Sequence, residues 1–337
     1  MTGNTLGWVI VAFVLYLLMM IAIGAFYAKG NNNSEDYFLG GRKLNGFVAA
    51  LSAQASDMSG WLLMGLPGAI YLTGVGGDGW IAIGLFIGTT LNWLFIATKL
   101  RRYTIRANNS VTLPTYFENR FHDEKKVLMT VSSITIVVFF LVYCASALSA
   151  GGQLFESVFG IDYHVALTIG ALVVLVYTFL GGFTAVCVTD FIQGMLMLVG
   201  ILAVPLFAYH FLTTGGTTLS AGLEASGADS ANFLNLMKNG DGSNNIVSVI
   251  SGLGWGLGYF GMPHILVRFM AVRDEKEMTK SKATAISWVA LSLGFAVFIG
   301  ILGRAYLPEL VNGNNEKVFI EMIKKVFTVE MRAPFIA

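Results

Sequence analysis

Long apolar stretches separated by short polar connections dominate this sequence of 337 residues. A helix needs about 20 mainly apolar residues to cross roughly 30 Å of membrane hydrocarbon. Stretches of this kind lie near residues 6–27, 46–72, 78–98, 127–152, 162–182, 189–212, 246–268 and 283–305. The pattern predicts an all-α polytopic membrane protein with about eight transmembrane helices, in which residues 1–337 form a single transmembrane domain.

The composition agrees with a lipid bilayer as the surroundings. Hydrophobic residues make up 55% of the chain and charged residues only 12%, too few to cover a water-facing surface of this size. The formal net charge of +1 gives no indication of a nucleic-acid partner.

The basic residues are distributed unevenly along the chain. The connections 28–45, 99–126 and 268–282 hold fifteen of the 21 Lys and Arg residues, whereas the intervening connections before Arg304 hold only Lys238. Cytoplasmic connections carry an excess of Lys and Arg. The bias therefore predicts that the N-terminus lies outside the cell.

Two of the apolar segments contain helix-breaking residues. The second is interrupted by Ser59-Gly60 and by residues 65–68, and the seventh by glycines ending in Gly261-Met262-Pro263. Their separation of five helices would give equivalent helices opposite directions, which is typical of transporters built from inverted repeats with discontinuous helices. Membrane helices also tolerate Gly and Pro without such a role.

Asp57 is the most informative residue, because it places a carboxylate inside an apolar segment beside a predicted helix break. An unpaired charge at that depth costs about 2.5 kcal/mol or more, so it needs a cation, hydrogen-bond donors or water. Carbonyl groups freed at the break, with Ala55 and Met58 as candidates, suit a hard cation such as sodium. The alternative is that Asp57 only caps a helix end.

An aromatic face is predicted in the seventh segment, where Trp255, Tyr259 and Pro263 recur every four residues among glycines. Such a face could cover a small solute or form a packing seam between helices. Tyr143, in the fourth segment, has the same two interpretations.

The remaining polar residues indicate neither a cofactor nor an enzyme. His264 has no second metal-ligating residue at ligand spacing and is expected to be a hydrogen-bonded helix residue. Arg42 precedes the broken second segment and could line the inner mouth of a pathway. Metalloprotease (HExxH) and serine-hydrolase (GxSxG) motifs do not occur in the sequence.

Several motifs closely resemble the sodium:solute symporter family, and within it the bacterial proline branch. They are residues 36–42 (DYFLGGR), 55–68 (ASDMSGWLLMGLPG), 143–146 (YCAS), 177–186 (YTFLGGFTAV), 189–190 (TD) and 254–264 (GWGLGYFGMPH). The 181–182 region resembles the signature of the whole family, while the stretches around Asp57 and Trp255 are more specific to the proline branch.

The resemblance implies a leucine-transporter-type fold, with inverted five-helix repeats after one extra N-terminal helix and a truncated second repeat. It implies sodium-coupled symport of L-proline across the bacterial inner membrane, with sodium as co-substrate and no cofactor. By the same resemblance, Ala55, Asp57 and Met58 contribute to the sodium site, and Arg42, Asp57 and Asp190 to coupling and the ion pathway. The implied solute-binding residues are Ser59, Gly60, Trp61, Tyr143, Trp255, Tyr259 and Pro263.

Two departures from the family pattern keep other functions open. Met262 stands where the proline branch usually has Gln, so another small amino acid or a carboxylate remains an alternative solute. The Ser-Thr pair that completes the family's sodium site belongs to a later helix, and residues 334–337 suggest the start of another apolar run, so we expect a truncated chain. A transporter-like sensory domain is the other alternative, and residues 315–327 are predicted to form a surface or re-entrant helix.

Overall fold

The computed structural model describes residues 3–312 and 314–327, and the regular elements in these ranges are helices. The helices are α1 (Gly3–Ala28), α2 (Ser34–Leu39), α3 (Gly46–Met58), α4 (Gly65–Thr73), α5 (Val75–Leu91), α6 (Thr98–Arg106), α7 (Leu113–Phe121), α8 (Val127–Phe159), α9 (Tyr163–Thr214), α10 (Leu219–Ala225), α11 (Ser230–Phe233), α12 (Ile246–Gly258), α13 (Pro263–Ala271), α14 (Glu275–Tyr306) and α15 (Val318–Val326). The apolar run predicted to begin at residues 334–337 lies outside the described residues.

The chain is an all-helical, multi-span membrane protein. Five helical stretches within the described residues are long and apolar enough to cross a bilayer: Ile10–Ala28, Val75–Arg106, Val127–Glu156, Tyr163–Thr214 and Glu275–Tyr306. The pair α12 and α13 forms a sixth if it is counted as one span bent by 47°. The second predicted span corresponds to α3 and α4, which are separated by a break.

α9 has 52 residues and is interrupted at Gly182. At about 1.5 Å per residue its length is well over twice what one crossing needs. The Gly182 backbone has φ 61° and ψ −159°, a conformation essentially limited to glycine. A Cβ atom there would also lie 2.9 Å from the Tyr37 carbonyl oxygen. The glycine therefore divides α9 into two segments, in agreement with the two apolar runs that the sequence places there.

The two breaks next to the candidate site have different local causes. α3 ends at Met58 because Ser59 has φ 43° and ψ −155°, a strained conformation for a residue with a side chain. A short 3-10 turn, Gly60–Leu62, leads on to α4. The second break follows from an extended Met262 and from Pro263, which occupies the first helical position of α13 and has no amide hydrogen to donate.

α3 lies at the centre of the bundle and packs against α9, α13 and α14. At its N-terminal end the Gly46 amide donates to Glu277 Oε2 of α14 at 2.7 Å. Just before it, the Leu44 amide donates to the Ala271 carbonyl at 3.1 Å, and the Arg273 amide donates to the Leu44 carbonyl at 3.0 Å. Backbone hydrogen bonds therefore join the start of α3 to the end of α13.

α15 contradicts one of the two alternatives expected for residues 315–327, the surface helix, and does not test the other, the re-entrant helix. Its apolar residues do follow helical spacing, but they are buried against α4, α9 and α14. These residues are Val318, Phe319, Ile320, Met322, Ile323 and Val326. The helix is therefore part of the core of the described bundle rather than a surface helix.

α5 and α12 approach each other through glycines. Cβ atoms built on Gly84 and Gly88 would overlap the carbonyl oxygens of Gly252 and Gly256, respectively. Small residues permit this kind of close backbone approach between membrane helices. The contact fixes α12, which carries the predicted aromatic face, against α5.

We expect Gly88→Ala to lower the melting temperature of the purified protein, because the added methyl group overpacks this contact at a cost of about 1–3 kcal/mol. Gly254→Ala is the matched control: it lies on α12, and its Cβ would meet nothing within 4 Å. Equal melting temperatures for the two variants would contradict the interpretation of the α5–α12 contact.

Candidate functional site

Asp57 lies in the last turn of α3, directly before the break. Its side chain is only 6% exposed, and its Oδ1 atom is 4.0 Å from Nε2 of His264 at the start of α13. The residues that end one broken helix and begin the other therefore meet around a buried carboxylate.

The backbone around Asp57 offers oxygen atoms. Ala55 and Met58, predicted as sodium ligands, are both buried. The Ala55 carbonyl accepts a hydrogen bond from the Ser59 amide at 3.1 Å but keeps a second lone pair. Met58 is the last residue of α3, and carbonyls in the last turn of a helix lack partners within it. An oxygen-rich set of this kind fits a hard cation. No group of three or more His, Cys, Asp or Glu suited to a metal occurs in the described ranges.

The aromatic face predicted on the seventh span meets the second span. Trp255 stacks on Trp61, with ring centroids 5.6 Å apart and an angle of 20° between the rings. One turn further along, the Tyr259 hydroxyl donates to Gln54 Oε1 at 3.3 Å and lies beside the Asp57 carboxylate. Trp255 is 48% exposed and Tyr259 only 1%, so Trp255 is the more accessible of the two.

The break itself leaves room next to these aromatic rings. A Cβ atom built on Gly60 would meet nothing within 4 Å. Ser59 precedes this glycine, Trp61 follows it, and Pro263 starts the facing helix α13. Because the exposed Gly60 directly precedes Trp61, the open side of the break lies next to the Trp61–Trp255 stack.

Tyr143 joins α8 to the same region. Its hydroxyl donates to the Ser56 carbonyl of α3 at 3.0 Å, and its ring stacks on His264 with centroids 5.6 Å apart. His264 was expected to be a hydrogen-bonded helix residue, and this expectation was wrong for the side chain. Both ring nitrogens are buried without a hydrogen-bond partner among the described residues.

Asp190 forms a buried ion pair with Arg268, at 2.7 Å between Oδ2 and Nη2. The same Oδ2 accepts from Ser52 Oγ at 2.7 Å and from Ser56 Oγ at 3.0 Å. Arg268 also donates to both hydroxyl oxygens at 2.6 Å. The network joins α3, α9 and α13 and includes Ser56, the residue directly before Asp57.

Arg268 was missed at the sequence level because it was counted with the cytoplasmic basic residues at the edge of an apolar run. An ionisable residue five positions after the helix-breaking Pro263 could have been recognised as lying inside the span.

Arg42 lies apart from this cluster, at the junction before α3. Its guanidinium donates to the Met270 and Ser110 carbonyls, both at 2.8 Å, and to Asn109 Oδ1 at 3.0 Å. The backbone at Arg42 has φ 54°, in the left-handed region. Through these bonds the buried side chain of Arg42 joins the segment before α3 to the end of α13.

Comparisons with known proteins agree with this architecture. The model of the sodium:solute symporter family matches residues 37–337. Sodium/proline symporters are similar over 94% of the chain: those of Salmonella typhimurium, Escherichia coli K12 and Staphylococcus aureus are 45%, 44% and 42% identical. The chain spans 60–63% of the length of these relatives.

A solved structure has the same fold. It is the substrate-bound, outward-open state of a Na⁺-coupled sialic acid symporter, which matches 98% of this chain and 69% of its own with a TM-score of 0.80. The two sequences are only 20% identical, so the likeness concerns the fold alone.

We expect Arg268→Gln to lower the thermal stability of the purified protein strongly, because it leaves Asp190 as a buried charge without its counter-ion. Such a change costs about 3–5 kcal/mol, and adding Asp190→Asn should recover part of it by removing the second charge. Arg102→Gln is the control: Arg102 pairs with Glu275 at 2.6 Å, but both side chains are about half exposed. An exposed pair contributes about 0–1 kcal/mol. A melting temperature of Arg268→Gln equal to that of Arg102→Gln would contradict a structural role for the buried pair.

Proposed function

We propose that this chain, which belongs to the sodium:solute symporter family, is the part of a secondary transporter that carries L-proline across the membrane together with sodium. Membership of this family makes the chain part of a transporter and not an enzyme. The observation that carries the proposal is the buried Asp57 carboxylate at the meeting point of two broken helices.

For the sodium ion, we propose the Asp57 carboxylate with the carbonyl oxygens of Ala55 and Met58. A helix break supports this assignment because it supplies carbonyl groups that can replace the hydration shell of the ion. Each positive charge that crosses a potential of 100 mV releases about 2.3 kcal/mol, which alone drives more than tenfold accumulation of a coupled solute.

For the solute, we propose a site between the two breaks. The compact apolar ring of proline would pack on Trp61 and Trp255, with the buried Tyr259 supporting this wall from behind, and its carboxylate would face the backbone amides near Ser59 and Gly60. Tyr143 and Pro263 would close the remaining sides. In this scheme Asp190 and Arg42 act at a distance, by holding α3 in position for coupling.

For the architecture, we propose leucine-transporter-type inverted five-helix repeats, with α1 as the extra helix and a second repeat that continues beyond the described part. The basic connections support an N-terminus outside the cell, and the relatives are bacterial, which favours the inner membrane.

A second candidate is symport of another small amino acid or of a carboxylate. Met262 favours it, because this residue forms the extended link at the second break and differs from the Gln usual in the proline branch. Competition of unlabelled solutes against labelled L-proline distinguishes the two candidates.

We expect the full-length protein to take up labelled L-proline only when sodium is present, and Asp57→Asn to raise the sodium concentration needed for half-maximal uptake by tenfold or more. The substitution removes the charge that attracts the cation but keeps the size of the side chain. Asp241→Asn in the connection before α12 is the control, because it removes one carboxylate outside the spans. Equal uptake after replacement of sodium by choline would refute the coupling, and a normal sodium requirement in Asp57→Asn would leave Asp57 as a helix cap.

We expect Trp255→Ala to raise the proline concentration needed for half-maximal uptake severalfold while membrane abundance stays normal, because the exposed ring contributes contact area rather than core packing. Tyr259→Phe should have a similar but smaller effect through loss of the bond to Gln54. Leu257→Ala on the same helix is the control, since Leu257 is 74% exposed. Reduced abundance with unchanged apparent affinity would identify the aromatic face as a packing seam.

A further inference from the structure

The imidazole of His264 lies between the proposed ion site and the proposed solute site. On one side, its Nε2 is 4.0 Å from Asp57 Oδ1. On the other, its ring stacks on Tyr143 at 5.6 Å and 19° and packs against Phe140 at 5.4 Å. A single side chain therefore contacts residues assigned to both sites.

The backbone of His264 is firmly fixed. Pro263 starts α13, and the amides of Ile265 and Leu266 both bond to the Met262 carbonyl at 3.1 Å. The His264 carbonyl accepts a hydrogen bond from Arg268, which is itself paired with Asp190. A change of hydrogen-bond partner by this residue would therefore involve its side chain and not its backbone.

The ring nitrogens are the unusual feature. Both are buried without a hydrogen-bond partner among the described residues. Leaving a buried donor or acceptor unsatisfied is costly, so such groups are rare in native proteins and call for an explanation. A distance of 4.0 Å to Asp57 is too long for a hydrogen bond, but a small movement of either side chain would form one.

We propose that His264 is a positioning residue that couples sodium binding to solute binding by exchanging partners. This inference rests on the proposed function. Without sodium, the imidazole N–H approaches Asp57 and holds the carboxylate. A bound sodium ion takes over the carboxylate, and the released N–H becomes available to the carboxylate of the solute beside Tyr143.

The proposed exchange of partners predicts a thermodynamic coupling between sodium binding and L-proline binding, and this coupling can be measured. If sodium releases His264 for the solute, the dissociation constant of L-proline must be higher at low sodium than at saturating sodium. The ratio of the two constants measures the coupling, and values of roughly 5–150 are typical. Sodium affinity must change by the same factor when L-proline is added.

Two substitutions separate partner exchange from simple packing. His264→Phe keeps an aromatic ring against Tyr143 but removes both nitrogens. His264→Gln loses the ring but keeps an N–H donor at similar reach. Partner exchange predicts that Phe abolishes the coupling and Gln retains much of it, whereas a packing role predicts the reverse order.

The experiment is equilibrium binding of labelled L-proline to the purified full-length protein at low and saturating sodium. We expect the ratio to fall to within about twofold of one in His264→Phe, and to stay above half of the wild-type value in His264→Gln. His210→Phe is the control, because His210 is exposed on α9.

A wild-type ratio in His264→Phe would overturn this inference and leave the proposed function standing. The same holds if only His264→Gln loses the coupling. A ratio of one in the wild-type protein itself would overturn the proposed function and this inference together.

Discussion

The ion pair between Arg268 and Asp190 is the interaction on which the centre of the structure depends. It lies between α3, α9 and α13, buried among the hydroxyl groups of Ser52 and Ser56. Removing two charges from water costs several kcal/mol each, and the cost is offset only when the geometry is good and further hydrogen bonds are made. Here Asp190 Oδ2 and the guanidinium share the same two serine hydroxyls, so the pair meets that condition and holds three helices at one point.

This fixed point is what allows both neighbouring helices to be interrupted. A break exposes backbone groups that lipid cannot satisfy, so irregular backbone at membrane depth must be enclosed by protein or line a water-filled cavity. α3 breaks one turn after Ser56, and α13 begins five residues before Arg268. The network therefore holds both breaks near each other, with Asp57 and His264 between them, and it fixes the end of α3 that leads into the strained Ser59.

Much of the fold follows from local patterns in the sequence. The apolar runs give the spans, Gly182 and Pro263 mark interruptions, and the four-residue spacing of Trp255 and Tyr259 gives a shared face. These signals depend on residues close together along the chain. This face meets Trp61 in the turn after α3, which agrees with the expected pairing of the two broken segments.

The parts that could not be predicted depend on partners far apart in sequence. Arg268 pairs with Asp190 across 78 positions and with Ser52 across 216, so the sequence near Arg268 gives no sign of which residues are its partners. His264 lacks a ligand at helical spacing, and its neighbours Asp57 and Tyr143 come from other spans. The left-handed backbone of Arg42 depends likewise on carbonyl groups supplied by the ends of other helices.

The helices at the centre of the bundle are joined by two kinds of hydrogen bonds, between backbone groups and through side chains. α3 and α13 are connected by backbone hydrogen bonds through Leu44, and α3 is held to α14 through Glu277. α9 is joined to α3 and α13 through the side chain of Asp190 instead. A hydrogen bond made by a side chain can be replaced by one to an ion or to water. A hydrogen bond between two backbone groups breaks only when the chain itself moves. α13 is therefore tied to the start of α3 through the chain itself, whereas α9 and α14 are held to α3 through the side chains of Asp190 and Glu277.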